Sequence, residues 1–385
     1  MHPMRRPLED TRILDLSHVW FGPYCTMLLA HLGAEVIKVE PPWGEMTRFF
    51  PPLIENESPT FISMNLNKKD LTLDLKNPRG REIFLELVKR SDVVVENFTP
   101  GTMDRLGLGY NVLKGVKPDI IYASLSGFGQ TGPYSKRPSY FSIAEAITGH
   151  AYMAGLEEDE EGEPRGSPQA YGDLGPALFA ALSIVSALRY RDKTGKGQWI
   201  DVAQADCMVS LASQAIVTYT AAGLTPLEAR RKRRGLGQVS VGGFFKAVDG
   251  YVAVLATRGS IMERLARALG VEEASVEFFR EWVRNKTVKE VVDILVEADV
   301  PVAPVLNIDK VVEEPHLVAR GVFTEVEHPK LGRIKVPAFP VKFSEITELP
   351  VRPSPTLGQH TEEILTGLLG YSREEIEKLR AERVI

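Results

Sequence analysis

The chain has 385 residues, 44% hydrophobic and 25% charged, with 46 Lys plus Arg against 51 Asp plus Glu and a net charge of -5. That is an ordinary globular chain, long enough for two or three domains and a large core, with no general attraction to nucleic acid or an anionic membrane. Two cysteines (Cys25 and Cys207, on apolar stretches and expected buried and reduced) make no disulfide framework, and seven scattered histidines offer no metal-ligand spacing. Residues 1–12 do not resemble a signal peptide and no apolar run approaches the roughly 20 residues of a membrane span, so a cytoplasmic location without a membrane partner is expected.

Residues 12–16 read as a short strand, 22–32 as a helix closed by Gly33, and 35–39 as a second strand, which makes a parallel βαβ unit. The loop between first strand and helix, residues 17–23, lies where open α/β sheets bind ligands, yet it is not a G-x-G-x-x-G loop. The alternation continues with a strand over 71–75, a helix capped at Asn77-Pro78 and running through 82–89, and a buried strand over 92–96. A pair of short helices, a strand over 119–125 and a glycine-rich loop over 126–134 come next. The loops that follow these strands should cluster on one rim.

The acidic run 157–163 reads as a solvated loop. A long apolar helix over 177–191 stops at the glycines of 194–197, a last strand covers 198–202, and 205–222 reads as one mostly apolar helix. Five consecutive basic residues at 230–234 read as a solvated or interface-facing stretch. Gly242-Gly243 precedes a hairpin that turns at Asp249-Gly250. Helices starting near Ile261, Ser275 and Thr287 complete a smaller α+β unit, and residues 301–305 lead out of it. A hairpin over 322–327 and 334–336 and two helices, the second with a capping box of Ser372 and Glu375, close the chain. The expected division is a large α/β domain over 1–205 completed by 322–385, a small domain over 225–308, and linkers at 206–224 and 309–321.

Asp173 falls at the start of the long helix, where unpaired N–H groups and the helix dipole favour an ionised carboxylate. An oriented carboxylate of that kind is a nucleophile; the alternative is a plain helix cap.

Several blocks, in order, resemble the family III CoA-transferases, which include formyl-CoA transferase and the crotonobetaine CoA-transferases, with α-methylacyl-CoA racemase as a relative. They are Leu14-Asp15-Leu16-Ser17-His18-Val19 through Gly22-Pro23, residues 32–40, Gly44-Glu45-Met46-Thr47-Arg48, Asn67-Lys68-Lys69, Val94-Val95-Glu96-Asn97-Phe98 and Arg105-Leu106-Gly107. Gly172-Asp173, residues 193–198, Pro304-Val305-Leu306 and Leu357-Gly358-Gln359-His360-Thr361 complete the set. The resemblance implies a Rossmann-like, doubly wound, mainly parallel sheet in a discontinuous large domain, a small α+β domain, and an interlocked homodimer. It implies an enzyme that moves coenzyme A from an acyl-CoA donor to a small carboxylic acid, with Asp173 as nucleophile, aspartyl anhydride and aspartyl-CoA intermediates, and no permanently bound cofactor or metal. It places CoA contacts on Trp20, Phe21, Leu73, Lys76, Asn97, Phe98, Thr99, Arg105, Arg137 and Tyr140. Pro41 and Trp20 stand where formyl-CoA transferase has an arginine and a glutamine, which argues against formate or oxalate and for a larger or more apolar acid. A racemase needs a histidine where Tyr140 stands, and a phenol with a pKa near 10 is a poor base at neutral pH. A non-catalytic CoA-binding module would need no ionised Asp173. Gly242-Gly243 is the candidate for the glycine-rich loop that covers the active site in relatives.

Overall fold

The computed structural model describes residues 6–156, 163–235, 240–257, 259–346 and 349–385. Two compact units result, residues 1–214 with 321–385, and residues 215–320.

The first unit begins with β1 (Arg12–Asp15), α1 (Phe21–His31), β2 (Glu35–Glu40), α2 (Pro59–Met64) and β3 (Lys69–Thr72), followed by α3 (Pro78–Lys89) and β4 (Val93–Glu96). Next come α4 (Thr102–Arg105), α5 (Tyr110–Val116), β5 (Ile121–Ser126), α6 (Phe141–Ile147), α7 (His150–Leu156), α8 (Tyr171–Thr194), β6 (Trp199–Ala203) and α9 (Gln204–Leu211). All six strands pair in parallel in the order β3-β2-β1-β4-β5-β6. This is the doubly wound order, in which the chain reverses direction across the sheet between β1 and β4.

Period-2 alternation divides each strand between two cores. Ile13, Val36, Val93, Val95, Ile121 and Ala123 face α1 and α8, whereas Leu14, Ile37, Leu71, Val94 and Tyr122 face α3 and α5. Helix α8 is long and apolar enough by length and composition to cross a membrane, contrary to the reading of the sequence, but its residues Ala177, Ala180, Ile184, Ala187 and Leu188 are packed in the core. Cys25 and Cys207 are buried free thiols.

The strand at residues 71–75 starts two residues earlier than expected and ends at Thr72. As the edge of the sheet it would expose unpaired backbone groups, and the tail of the chain covers it. The backbone N–H of His360 donates to Asp70 O at 3.0 Å, and Thr72 N donates to Thr361 Oγ1 at 3.1 Å. The helix expected over 205–222 is two helices, because α9 ends at Leu211 with Ala212 as its cap and α10 (Ser213–Ala222) follows.

The second unit carries most of α10, then α11 (Pro226–Gly235), β7 (Val241–Lys246), β8 (Tyr251–Ala256), α12 (Gly259–Leu269), α13 (Val276–Arg284), α14 (Val288–Glu297) and β9 (Val302–Pro304), with the short α15 (Ile308–Val311) and α16 (Pro315–Ala319). Its sheet is antiparallel, β7-β8-β9, so residues 301–305 supply a third strand rather than an exit segment. Gly242 and Gly243 pair with Leu255 and Val254 inside β7; they are strand residues, not a loop. The basic run lies in α11, where Arg231 and Lys232 are exposed. Of the acidic run, all but Glu163 is outside the described residues.

The chain returns to the first unit through the hairpin β10 (Phe323–His328) and β11 (Gly332–Pro337) and ends with α17 (Thr361–Leu369) and α18 (Arg373–Ala381). Ile364, Leu365, Ile376 and Leu379 of these last helices join the same core as α3.

Candidate active site

The loops that follow the strands do gather on one rim, and the switch point between β1 and β4 is held by buried charge. Asp15, at the end of β1, accepts hydrogen bonds from Ser17 N at 2.9 Å, Thr26 Oγ1 at 2.7 Å and Lys68 Nζ at 2.8 Å, and from the Ser17 hydroxyl. Both members of the Asp15–Lys68 pair are fully buried. Burial opposes ionisation of Asp15, but Lys68 and Lys38 outweigh it and hold the carboxyl well below its ordinary range. Lys38 donates to Ser17 O at 2.8 Å. Asn97, at the end of β4, clamps the same loop, accepting from His18 N at 2.9 Å and donating to His18 O at 2.8 Å. So clamped, Val19 is held at φ 66°, a conformation that a β-branched residue avoids.

Beside this clamp lies a mainly apolar pocket of about 330 Å³. Its walls come from the ends of four strands and include His18, Pro41, Leu73, Lys76, Phe98 and Leu106. Glu40, which also lines it, is held by Arg48 at 2.7 Å; Arg48 bonds Asp70 at 3.2 Å as well and lies 3.6 Å over the Phe61 ring. Leu73, Lys76 and Phe98 are thus brought together as expected. Thr99 faces a neighbouring hollow of about 300 Å³ with Glu96, Gln130 and Trp199. Arg105, Arg137 and Tyr140 are exposed and do not line the first pocket; Arg105 bonds Thr102, and Arg137 stacks on Tyr134. Trp20 is half-buried as the residue before α1. Of the other two expected contacts, the Phe21 side chain is packed in the core under α1, and both polar atoms of the Asn97 side chain are engaged by His18.

Asp173 lies beyond the carboxyl ends of β5 and β6. It is the third residue of α8 and not its cap, since the residue before the helix is Ala170 (φ 48°), which supplies no side-chain hydrogen bond. The residue is 4% exposed, and its carboxylate accepts the side-chain amide of Gln204, the first residue of α9. Burial pushes the pKa up; the Gln204 hydrogen bond lowers it and the Glu145 carboxylate raises it further, to about 7. The first N–H groups of α8 are engaged elsewhere: Tyr171 N donates to Ser167 Oγ at 2.7 Å, Gly172 N to Glu145 Oε1 at 2.9 Å, and Asp173 N to Ala170 O at 2.8 Å. Gln204 and Glu145 were not singled out from the sequence. A polar residue directly after β6 is the signal that marks Gln204; Glu145 carries none, being one acid on a short helix.

The sequence profile of CoA-transferase family III matches residues 8–361. The chain belongs to that family. It is 36% identical to succinyl-CoA:glutarate CoA-transferase of Mus musculus over 99% of this chain and 90% of the relative. It is 35% identical to the succinyl-CoA–L-malate CoA-transferase alpha subunit of Chloroflexus aurantiacus, over 98% and 92%. Among solved structures, a CAIB/BAIF family protein from Brucella suis superposes with a TM-score of 0.84 at 28% identity, covering 94% of this chain and 99% of that one. As a family III CoA-transferase the chain is read as a transferase acting on CoA thioesters. Among the described residues no cluster of His, Cys, Asp or Glu is arranged to hold a metal ion.

Proposed function

We propose that the protein transfers CoA from an acyl-CoA donor to a free carboxylic acid, with Asp173 as the covalent nucleophile. One observation carries this reading: a buried carboxylate at the start of α8, hydrogen-bonded to Gln204 and ionising near neutrality, in a chain of this family. The Asp173 carboxylate attacks the donor thioester carbonyl; a C–O bond forms, the C–S bond breaks, and CoA thiolate leaves. The thiolate then attacks the aspartyl carbonyl of the mixed anhydride, releasing the donor acid as its carboxylate and leaving an aspartyl-CoA thioester. The acceptor carboxylate repeats the sequence in reverse, and Asp173 is regenerated. Each step takes in one carboxylate or thiolate and expels another, so no net proton is consumed and no step is far from balance. The Gln204 amide supplies a donor to the aspartyl oxygen as negative charge develops there.

For CoA we propose the pocket beside the switch point, with Leu73 and Phe98 against the adenine or pantetheine and Lys76 and Arg105 toward phosphate. Arg137, Tyr140, Trp20 and Thr99 are proposed as flanking contacts, and a homodimer as the working unit. Two relatives are named for succinyl-CoA, which makes it the first donor to test. The assay is chromatographic detection of a new acyl-CoA from succinyl-CoA and a panel of free acids. Product with the wild type and none with Asp173→Ala supports the reading; α-proton exchange in deuterated water without CoA transfer would favour a racemase instead.

A further inference from the structure

Helix α8 lacks a cap of its own. Ala170 has no side-chain acceptor, and an uncapped helix leaves its first N–H groups without partners. A carboxylate from another helix fills that role. Glu145 of α6 is 2% exposed, and its oxygens accept Gly172 N at 2.9 Å, Ser167 N at 2.9 Å and Ser167 Oγ at 2.5 Å. Ser167 Oγ in turn accepts Tyr171 N at 2.7 Å. Two hydrogen bonds thus join Glu145 to Ser167, and two more tie that pair to the first residues of α8. The approach is close as well: a Cβ on Gly172 would stand 2.4 Å from Phe141 O and 3.1 Å from Glu145 Cγ.

We infer that Glu145 is a positioning residue for the transfer reaction: it caps α8 from outside, fixes where Asp173 is delivered, and sets the charge against which that carboxylate works. The inference rests on Asp173 being the nucleophile. Three observations converge on it, namely the missing cap, the burial of Glu145 and its contact with residue 172. The elements packed on α8 are α1, α6, α9, β5 and β6. Their ionisable groups are Tyr24, Cys25 and His31 on α1, Glu145 on α6, Asp206 and Cys207 on α9, Tyr122 on β5 and Asp201 on β6. Of these, Glu145 is the one whose charge acts on Asp173, and it acts on His150 of α7 as well. A like charge nearby disfavours a second ionised carboxylate, so Glu145 keeps Asp173 more basic than Gln204 alone would.

The test reads Asp173 in the substrate-free protein, so it does not depend on turnover. Infrared difference titration follows the protonated carboxyl band that is lost in Asp173→Asn. The wild-type band should titrate with a midpoint near 7. In Glu145→Gln, where an amide oxygen still accepts Gly172 N, the midpoint should fall by about one pH unit with thermal stability kept. Glu145→Ala should shift the midpoint the same way and lower thermal stability, through loss of the cap. Unshifted midpoints in the variants that fold would overturn the inference. Failure to find a covalent adduct on Asp173 would instead sink the nucleophile reading, leaving the titration result as it stands.

Discussion

Gly172→Ala is the substitution that most sharply separates packing from chemistry. The added methyl would lie 2.4 Å from Phe141 O and 3.0 Å from Phe141 C. Ordinary van der Waals contact begins near 3.4 Å, so α6 and the start of α8 must separate by about 1 Å. Overpacking of this kind costs about 1–3 kcal/mol, of which replacing glycine by alanine within a helix returns up to ~1 kcal/mol. The net loss of stability is therefore about 1 kcal/mol, a shift visible in urea unfolding but far from unfolding the protein. Turnover should fall much further. A displacement of about 1 Å in a reacting group costs on the order of 100-fold, and residue 173 is next in the chain. Gly115→Ala is the control, because a Cβ there meets nothing within 4 Å and α5 lies outside the Asp173 site; it should keep turnover and gain up to ~1 kcal/mol of stability. If Gly172→Ala kept wild-type turnover, the claim that the contact between α6 and α8 fixes Asp173 would fail.

Other outcomes follow from the same geometry. Lys68→Met strands the fully buried Asp15 carboxylate and should cost about 3–5 kcal/mol in urea unfolding, partly restored by adding Asp15→Asn; a loss below ~1 kcal/mol contradicts the buried-pair account. A carboxyl with its pKa raised to about 7 is protonated and non-nucleophilic below that value, so kcat/KM should drop about tenfold per pH unit on the acid side. Gln204→Leu removes the one lowering influence on Asp173, which should move that acid limb upward and reduce kcat about 100-fold; an unmoved limb excludes the hydrogen bond as a functional one. Lys76→Ala should raise KM for the acyl-CoA with kcat nearly intact, and the difference from wild type should shrink at high salt; an unchanged KM removes Lys76 from the CoA site.

Much of the first unit was legible because a parallel sheet writes itself as short apolar runs separated by capped helices. The β1-α1-β2 unit and the Asn77-Pro78 helix start match their expected places within a residue or two. The misses share a cause, since each depends on contacts distant in sequence. The strand expected over 71–75 leaves out Lys69 and Asp70, whose charges are satisfied by Glu35, Glu363, Arg48 and the returning tail. Nothing local marks the break at Ala212 or the pairing of Val302 with Val254. At the site, local pattern located Asp173 but not the burial around it, which a helix-start argument ignores and which raises its pKa to about 7. Local pattern also did not show that the Asn97 and Phe21 side chains clamp a loop and fill a core, since both roles depend on residues distant in sequence.

The central claim is that Asp173 carries the CoA between substrates. Intact-mass analysis of the protein after incubation with succinyl-CoA alone, wild type beside Asp173→Ala, tests it most directly. The account predicts a CoA-sized increment on the wild type, discharged when a suitable free acid is added and absent from Asp173→Ala. An increment of the same size on Asp173→Ala, or CoA transfer catalysed by that variant at the wild-type rate, would contradict it.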